Sequence, residues 1–223
     1  MHFDFSGMSA RECYRLLVDT VVPRPIAFVS TVDARGRLNA APFSFFNVMG
    51  HDPPLVVLGI EQRKGGGLKD TAANIRATRE FVVNLVSEEL AEAMNACSVS
   101  FPPEADEVAL AGLETAPSAS IGVPRLAAAP ASLECTEMMS IGLGEGRNVI
   151  VGHVVAMHLD DAYYDVAERR VRTTDMRLIG RMHDSGWYVR TTDLLWLERP
   201  AAPEVKATVE EERHEEERHN EAS

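Results

Sequence analysis

The sequence predicts a mainly β protein, a barrel or sandwich with a few peripheral helices. Three observations lead there. Strand-length runs rich in Val, Ile, Phe and Thr recur at 25–60, 81–86, 133–141 and 149–159, separated by turn residues. Helical periodicity is confined to a few short segments. The strands and helices do not alternate regularly, so the pattern is not that of a parallel βαβ sheet.

Residues 9–18 place Cys13, Tyr14, Leu16, Leu17 and Val18 behind Ser9, with Glu12 three positions on, which marks a capped helix start. Residues 25–60 read as three strands, broken by Asp33-Ala34-Arg35-Gly36 and by His51-Asp52-Pro53-Pro54. Gly65-Gly66-Gly67 opens a loop that reaches Asp70, an expected N-cap, and the helix continues to Ala77 with Leu68, Ala72 and Ile75 on one side. A strand at 81–86 and a helix at 88–96 follow, with Phe101-Pro102-Pro103 as the stop. Residues 104–130 are too rich in Ala, Pro, Ser and Gly for long elements. Leu110, Leu113, Ile121, Val123 and Leu126 still punctuate them, so the stretch should wrap the core instead of linking domains. Strands at 133–141 and 149–159 lead to short pieces at Tyr163-Tyr164, Leu178-Ile179-Gly180 and 187–191. Met138-Met139 is expected in the core.

With 223 residues, 45% hydrophobic and 25% charged, the chain can bury a core as one domain over 1–199. Residues 200–223 differ, with eight acidic and three basic side chains and the unit Glu-Glu-Glu-Arg-His at 210–214 and again at 215–219. A step of five residues turns a helix by about 500°. The repeat therefore builds no stripe, and this acidic tail should be disordered or a frayed helix. A formal charge of −12 argues against nucleic acid as a partner. Cys13, Cys97 and Cys135 are odd in number and lack C-x-x-C spacing, which fits a reducing cytoplasmic location better than a disulfide framework or a cysteine zinc site. No apolar run approaches the roughly 20 residues of a membrane helix, so no membrane association is expected.

Two segments suggest chemistry. Leu68-Lys69-Asp70-Thr71 follows three glycines at a helix start, where unpaired N–H groups, the Lys69 charge and the Thr71 hydroxyl suit an anion such as phosphate. The same residues also make an ordinary capped helix with a solvated lysine, the commoner outcome for such a segment. No G-x-x-x-x-G-K-[ST] or G-x-G-x-x-G is present. The second segment pairs 24–31 with 39–46 across a turn at Gly36. Small residues with Thr31, Asn39 and Ser44 suit a flat heteroaromatic ring, and equally describe a hairpin whose Phe residues are packing. His153 and His158 have no carboxylate at ligand spacing, and no G-x-S-x-G elbow occurs, so metal and hydrolase chemistry lack an anchor; Cys135 reads as a buried thiol.

Together these stretches resemble the flavin reductase-like, FMN-binding split-barrel family, in its longer bacterial branch. The resemblance rests on Arg24-Pro25-Ile26-Ala27-Phe28-Val29-Ser30-Thr31, Asn39-Ala40-Ala41-Pro42-Phe43-Ser44-Phe45-Phe46, Pro53-Pro54, Lys69-Asp70-Thr71 with Asn74-Ile75, Phe81-Val82-Val83-Asn84, Phe101-Pro102-Pro103-Glu104, Ala111-Gly112-Leu113, Leu133-Glu134-Cys135 and Trp187-Tyr188, spread over about 20–199. It implies a six-stranded, Greek-key-like split barrel, a homodimer, and FMN near the subunit interface. It implies Lys69 and Thr71 at the phosphate, Thr31, Asn39, Ala41, Ser44 and Phe45 along the ring system, and Arg24 as a further polar contact. The implied activity is that of an NAD(P)H-dependent flavin reductase, with NADH or NADPH as donor and an acceptor or partner monooxygenase downstream. The rival is an FMN electron-transfer protein without a nicotinamide site. No side chain is required as acid or base, because the cofactor carries the chemistry. Two departures bear on nicotinamide handling: Gly146-Arg147-Asn148 stands where relatives often have Gly-Asp-His, and His183-Asp184-Ser185-Gly186 where many have a Gly-Gly pair. His183 reads either as a proton donor at the ring or as a solvated turn residue.

Overall fold

The computed structural model describes residues 1–99, 107–183 and 185–199. The expected stop at Phe101-Pro102-Pro103, the neighbouring Glu104, Asp184 and the acidic tail 200–223 lie outside them. The chain divides into two units, Met1–Asp193 and Leu194–Ser223. In the second, residues 194–199 form no helix or strand, and Leu194, Leu195, Trp196 and Leu197 are exposed.

In the first unit, α1 (Ala10–Thr20) opens with a complete capping box: Glu12 N–H donates to Ser9 Oγ at 3.3 Å, and Ser9 N–H donates to the Glu12 carboxylate at 2.9 Å. Strands β1 (Arg24–Pro25), β2 (Ala27–Val32), β3 (Leu38–Phe43), β4 (Phe46–His51) and β5 (Pro54–Ile60) follow. The middle one of the three strands expected here is broken at Ser44-Phe45 into β3 and β4. Helix α2 (Asp70–Thr78) is capped by Lys69, so Asp70 is its first residue and not the cap. Next come β6 (Glu80–Leu85), α3 (Ala91–Ala96), which starts three residues later than expected, α4 (Glu107–Leu110), β7 (Thr115–Ala116) and β8 (Arg125–Leu126). The long hairpin of β9 (Ala131–Gly142) and β10 (Asn148–Leu159) precedes four short strands, β11 (Tyr164–Asp165), β12 (Arg170–Val171), β13 (Ile179–Arg181) and β14 (Tyr188–Arg190).

The main antiparallel sheet runs β3-β2-β6-β9-β10-β5-β4, seven strands where the resemblance implied six. Its two edge strands, β3 and β4, are consecutive in the chain and joined by Ser44 and Phe45 alone. Two residues span only about 7 Å, so the sheet must curl until its edges stand side by side without pairing. The result is a split barrel. Phe43 and Phe46, on either side of the split, enter the same core with Val29, Leu58, Ile75 and Phe81. A second core lies on the opposite face, built from Phe28, Met94, Leu126 and Ile179. Strand β2 feeds both cores, Ala27 and Val29 into the first and Phe28 into the second. Burial on both faces explains its continuous apolar texture. Where β10 crosses Phe81, only glycine fits, because a Cβ on Gly152 would stand 2.4 Å from the ring.

The stretch after the undescribed 100–106 does wrap the sheet. Buried Asn84 satisfies all its polar atoms there, donating to Phe28 O at 2.9 Å and Ser30 Oγ at 3.2 Å and accepting from Leu126 N and Ser132 Oγ at 2.9 Å each. Buried Glu134 accepts from Ala119 N at 2.6 Å and Ser120 N at 2.7 Å and touches His158 Nε2. Burial pushes this carboxyl up, yet the two N–H donors and the imidazole together hold it below the ordinary value. Met138 and Met139 are not core: they are 56% and 53% exposed. Met139 stands in register with Val151, and Val151 with Val57, while Ile141 aligns with Val149, so β9, β10 and β5 present an apolar outer face. Cys135 is buried as expected, and burial raises its thiol far above the ordinary value. No helix among the described residues is long and apolar enough to cross a membrane.

Candidate functional site

The site is built around β3. Along one face of this strand Asn39, Ala41 and Phe43 alternate, with Phe43 in the first core and Ala41 packed against it. At one end, Asn39 Nδ2 donates to Thr71 Oγ1 at 3.1 Å and lies 3.5 Å from Thr31 Oγ1, which also accepts from Asn74 Nδ2 at 3.1 Å. Strand β2, strand β3 and the first turn of α2 are thereby locked together. Thr31 and Thr71 are almost fully buried. Each hydroxyl accepts from an amide, so each keeps its own proton to donate.

Lys69 completes this end. It caps α2 without a side-chain hydrogen bond, so the N–H groups of the first turn have no side-chain partner there. Its ammonium lies 5.6 Å from the Phe43 ring centroid, and among the described residues it forms no ion pair. Asp70, the one carboxylate beside it in sequence, is paired with Arg63. The Thr71 hydroxyl stands at the start of the helix, and the Lys69 ammonium lies over Phe43, farther along β3; together they make a donor set suited to phosphate. Glycines 65–67 all take positive φ, and Gly67 N–H donates to Glu145 O at 3.3 Å, which pins the glycine loop beside the β9–β10 turn.

The other end lies at the split. Arg24 is 7% exposed and largely committed to the fold: it donates to Val18 O at 2.7 Å, Val21 O at 2.9 Å and Met182 O at 2.9 Å. Its Nε lies 3.4 Å from Ser44 Oγ. Burial lowers its pKa; Tyr14 opposes this and Arg181 reinforces it. Phe45 meets Tyr14 edge-on at 6.2 Å, and its carbonyl accepts from Gly59 N–H at 2.7 Å. From Asn39 to Ser44 is roughly 16 Å of strand, room for a phosphate at one end and a ring at the other. Of the eight expected residues, Thr31, Asn39, Lys69 and Thr71 gather at the first end, Arg24, Ser44 and Phe45 at the second, and Ala41 lies between.

A model of the flavin reductase-like domain matches residues 19–174. The chain belongs to this family. An uncharacterized protein of Deinococcus radiodurans is 42% identical over 203 residues, covering 89% of each chain. Among solved structures, the 2-nitrobenzoate 2-nitroreductase of Pseudomonas fluorescens superposes with a TM-score of 0.83 at 36% identity, over 92% of this chain and 100% of that one. Nitrilotriacetate monooxygenase component B of Bacillus cereus gives 0.82 at 30% identity, over 88% and 98%. In this flavin reductase-like protein the donor set at Lys69 and Thr71 fits the phosphate of a flavin mononucleotide. Sequence reasoning missed Asn74 as a holder of Thr31, although its place one helical turn after Thr71 put it on the same side of α2. It also missed Arg181 and Tyr188, which β13 and β14 bring beside Arg24 through the small sheet β1-β13-β14. His183 is exposed and stacks on Trp187 at 5.8 Å.

Proposed function

We propose that this protein is an FMN-dependent oxidoreductase that takes electrons from NADH or NADPH and passes them to an acceptor or to a partner monooxygenase. The observation that carries the reading is the run along β3 from the Thr71 hydroxyl at the start of α2, past the Lys69 ammonium over Phe43, to the Ser44-Phe45 split. Lys69 and the first turn of α2 hold the phosphate, with Thr71 as hydroxyl donor. Ala41, Ser44 and Phe45 border the ring system, and Thr31 and Asn39 brace Thr71 and α2 at the phosphate end. Arg24 fixes Ser44, whose oxygen faces its Nε while the hydroxyl proton stays available to a ligand. Bound FMN would supply acceptance and release of electrons, and the residues supply position and a shielded groove.

The protein acts as a homodimer in the cytoplasm in this reading. Support comes from the outer face of β9, β10 and β5, where Met139 and Ile141 are about half exposed, and from three free cysteines. The similarity to a monooxygenase component B supports an oxygenase partner, and that to a nitroreductase supports direct delivery to an organic acceptor. Anaerobic addition of NADH or NADPH to the FMN-loaded protein decides the activity. Bleaching of the flavin absorbance within seconds is expected. Failure with both donors leaves an electron-transfer protein without a nicotinamide site.

A further inference from the structure

Beside the split lies a cavity of about 280 Å³, which shares Ser44 with the ring end of the groove. Its walls come from α1 (Tyr14), β1 (Arg24), the end of β3 (Pro42), α3 (Met94) and the β13–β14 pair (Arg181, Tyr188). Two guanidinium groups line it, and among the described residues no carboxylate does. This is unusual in a chain of net charge −12. Arg24 and Arg181 sit directly opposite each other on paired strands, an arrangement of like charges that costs stability unless something offsets it.

The two arginines are not equivalent. Arg24 spends both terminal nitrogens on main-chain carbonyls. Arg181 makes no ion pair among the described residues, and its guanidinium carbon lies 4.8 Å from the Tyr188 ring centroid. A guanidinium held over a ring keeps its N–H edge available, and that edge matches a carboxylate in bidentate geometry. Ile26, Pro42 and Met94 give the cavity an apolar wall. Its volume, about 280 Å³, lies just below the usual range for ligand pockets, which suits one ring and not a whole dinucleotide.

Resting on the reading of the groove as the flavin site, we propose that the cavity seats the second substrate as a single-ring aromatic acid, with its carboxylate on Arg181 and its ring against Ile26, Pro42 and Met94. The test is calorimetric titration of the FMN-loaded protein with benzoate and with benzamide, its neutral isostere. Benzoate should bind at least about tenfold more tightly, because a charge-assisted bond separates the two. Arg181→Gln should weaken benzoate by about ten- to a hundredfold, leave benzamide within about twofold, and leave FMN affinity unchanged; Arg181→Lys should recover part of the loss. The comparison of the two ligands needs only the parent protein, so it reads even if a variant does not fold. Equal binding of benzoate and benzamide overturns the proposal, as does displacement of FMN by benzoate. An Arg181→Gln variant that loses affinity for NADH or NADPH while keeping benzoate overturns it too, since the arginine would then serve the dinucleotide phosphate. Heat from benzoate is read whether or not FMN is bound, so failure of the flavin reading is seen separately, as absent FMN binding.

Discussion

The two ends of the β3 groove are built in opposite ways. The Lys69 end is assembled from three elements within about forty residues of chain: Thr31, Asn39, Lys69, Thr71 and Asn74 come from β2, β3 and the start of α2, and amide-to-hydroxyl bonds spanning 32 and 43 residues hold them. The Arg24 end is assembled across the chain, since Arg24 reaches Met182, 158 residues away. At the first end Lys69 forms no ion pair among the described residues and the hydroxyls are fixed; at the second a cation is itself the fixing element. Removing Lys69 at the first end is thus expected to cost ligand, whereas removing Arg24 at the second is expected to cost the fold.

The largest effect expected is on stability at the Arg24 end. Arg24→Met should destabilise the protein by about 3 kcal/mol or more, because three carbonyls lose a charged donor. Urea denaturation measures it, and a loss under about 1 kcal/mol would break the contrast between the ends. Next comes ligand affinity at the other end. Lys69→Ala and Thr71→Ala should each cost about 1 to 3 kcal/mol of FMN binding, roughly five- to a hundredfold in Kd. Riboflavin, which lacks the phosphate, should bind the Lys69→Ala and Thr71→Ala variants as it binds the parent. If both variants hold FMN within about twofold of the parent, or lose riboflavin equally, the helix start is not the phosphate site. The smallest effect is at Ser44, where Ser44→Ala should weaken FMN and riboflavin alike by about 1 kcal/mol. Selective loss of FMN there would move the phosphate to the split and reverse the orientation along β3.

The same contrast governs how much could be read from the chain. Lys69, Thr71, Thr31 and Asn39 announce themselves through a glycine loop, a helix start and a strand pair, all local patterns. The N-cap falls one residue early, on Lys69, because nothing in the pattern separates a capping Asp70 from one in the first turn. The break between β3 and β4 went unread because Ser44-Phe45 contains neither Gly nor Pro, and closure of the barrel, not turn chemistry, ends β3 there. Met138 and Met139 looked like core because apolar residues on an outward sheet face carry the same signature as buried ones. Arg181 and Tyr188 had no motif at all. Only the pairing of β1 with β13 and of β13 with β14 gives them a role beside Arg24.

That small sheet has an evolutionary consequence. It stands apart from the seven-stranded ladder, and its strands β13 and β14 follow residue 174, where the family match stops. Changes of side chain at Arg181 or Tyr188 alter neither the barrel register nor the residues facing Lys69 and Thr71. If Arg181 receives the second substrate, substrate preference can drift at these two side chains while Ile179 keeps the small sheet docked on the second core.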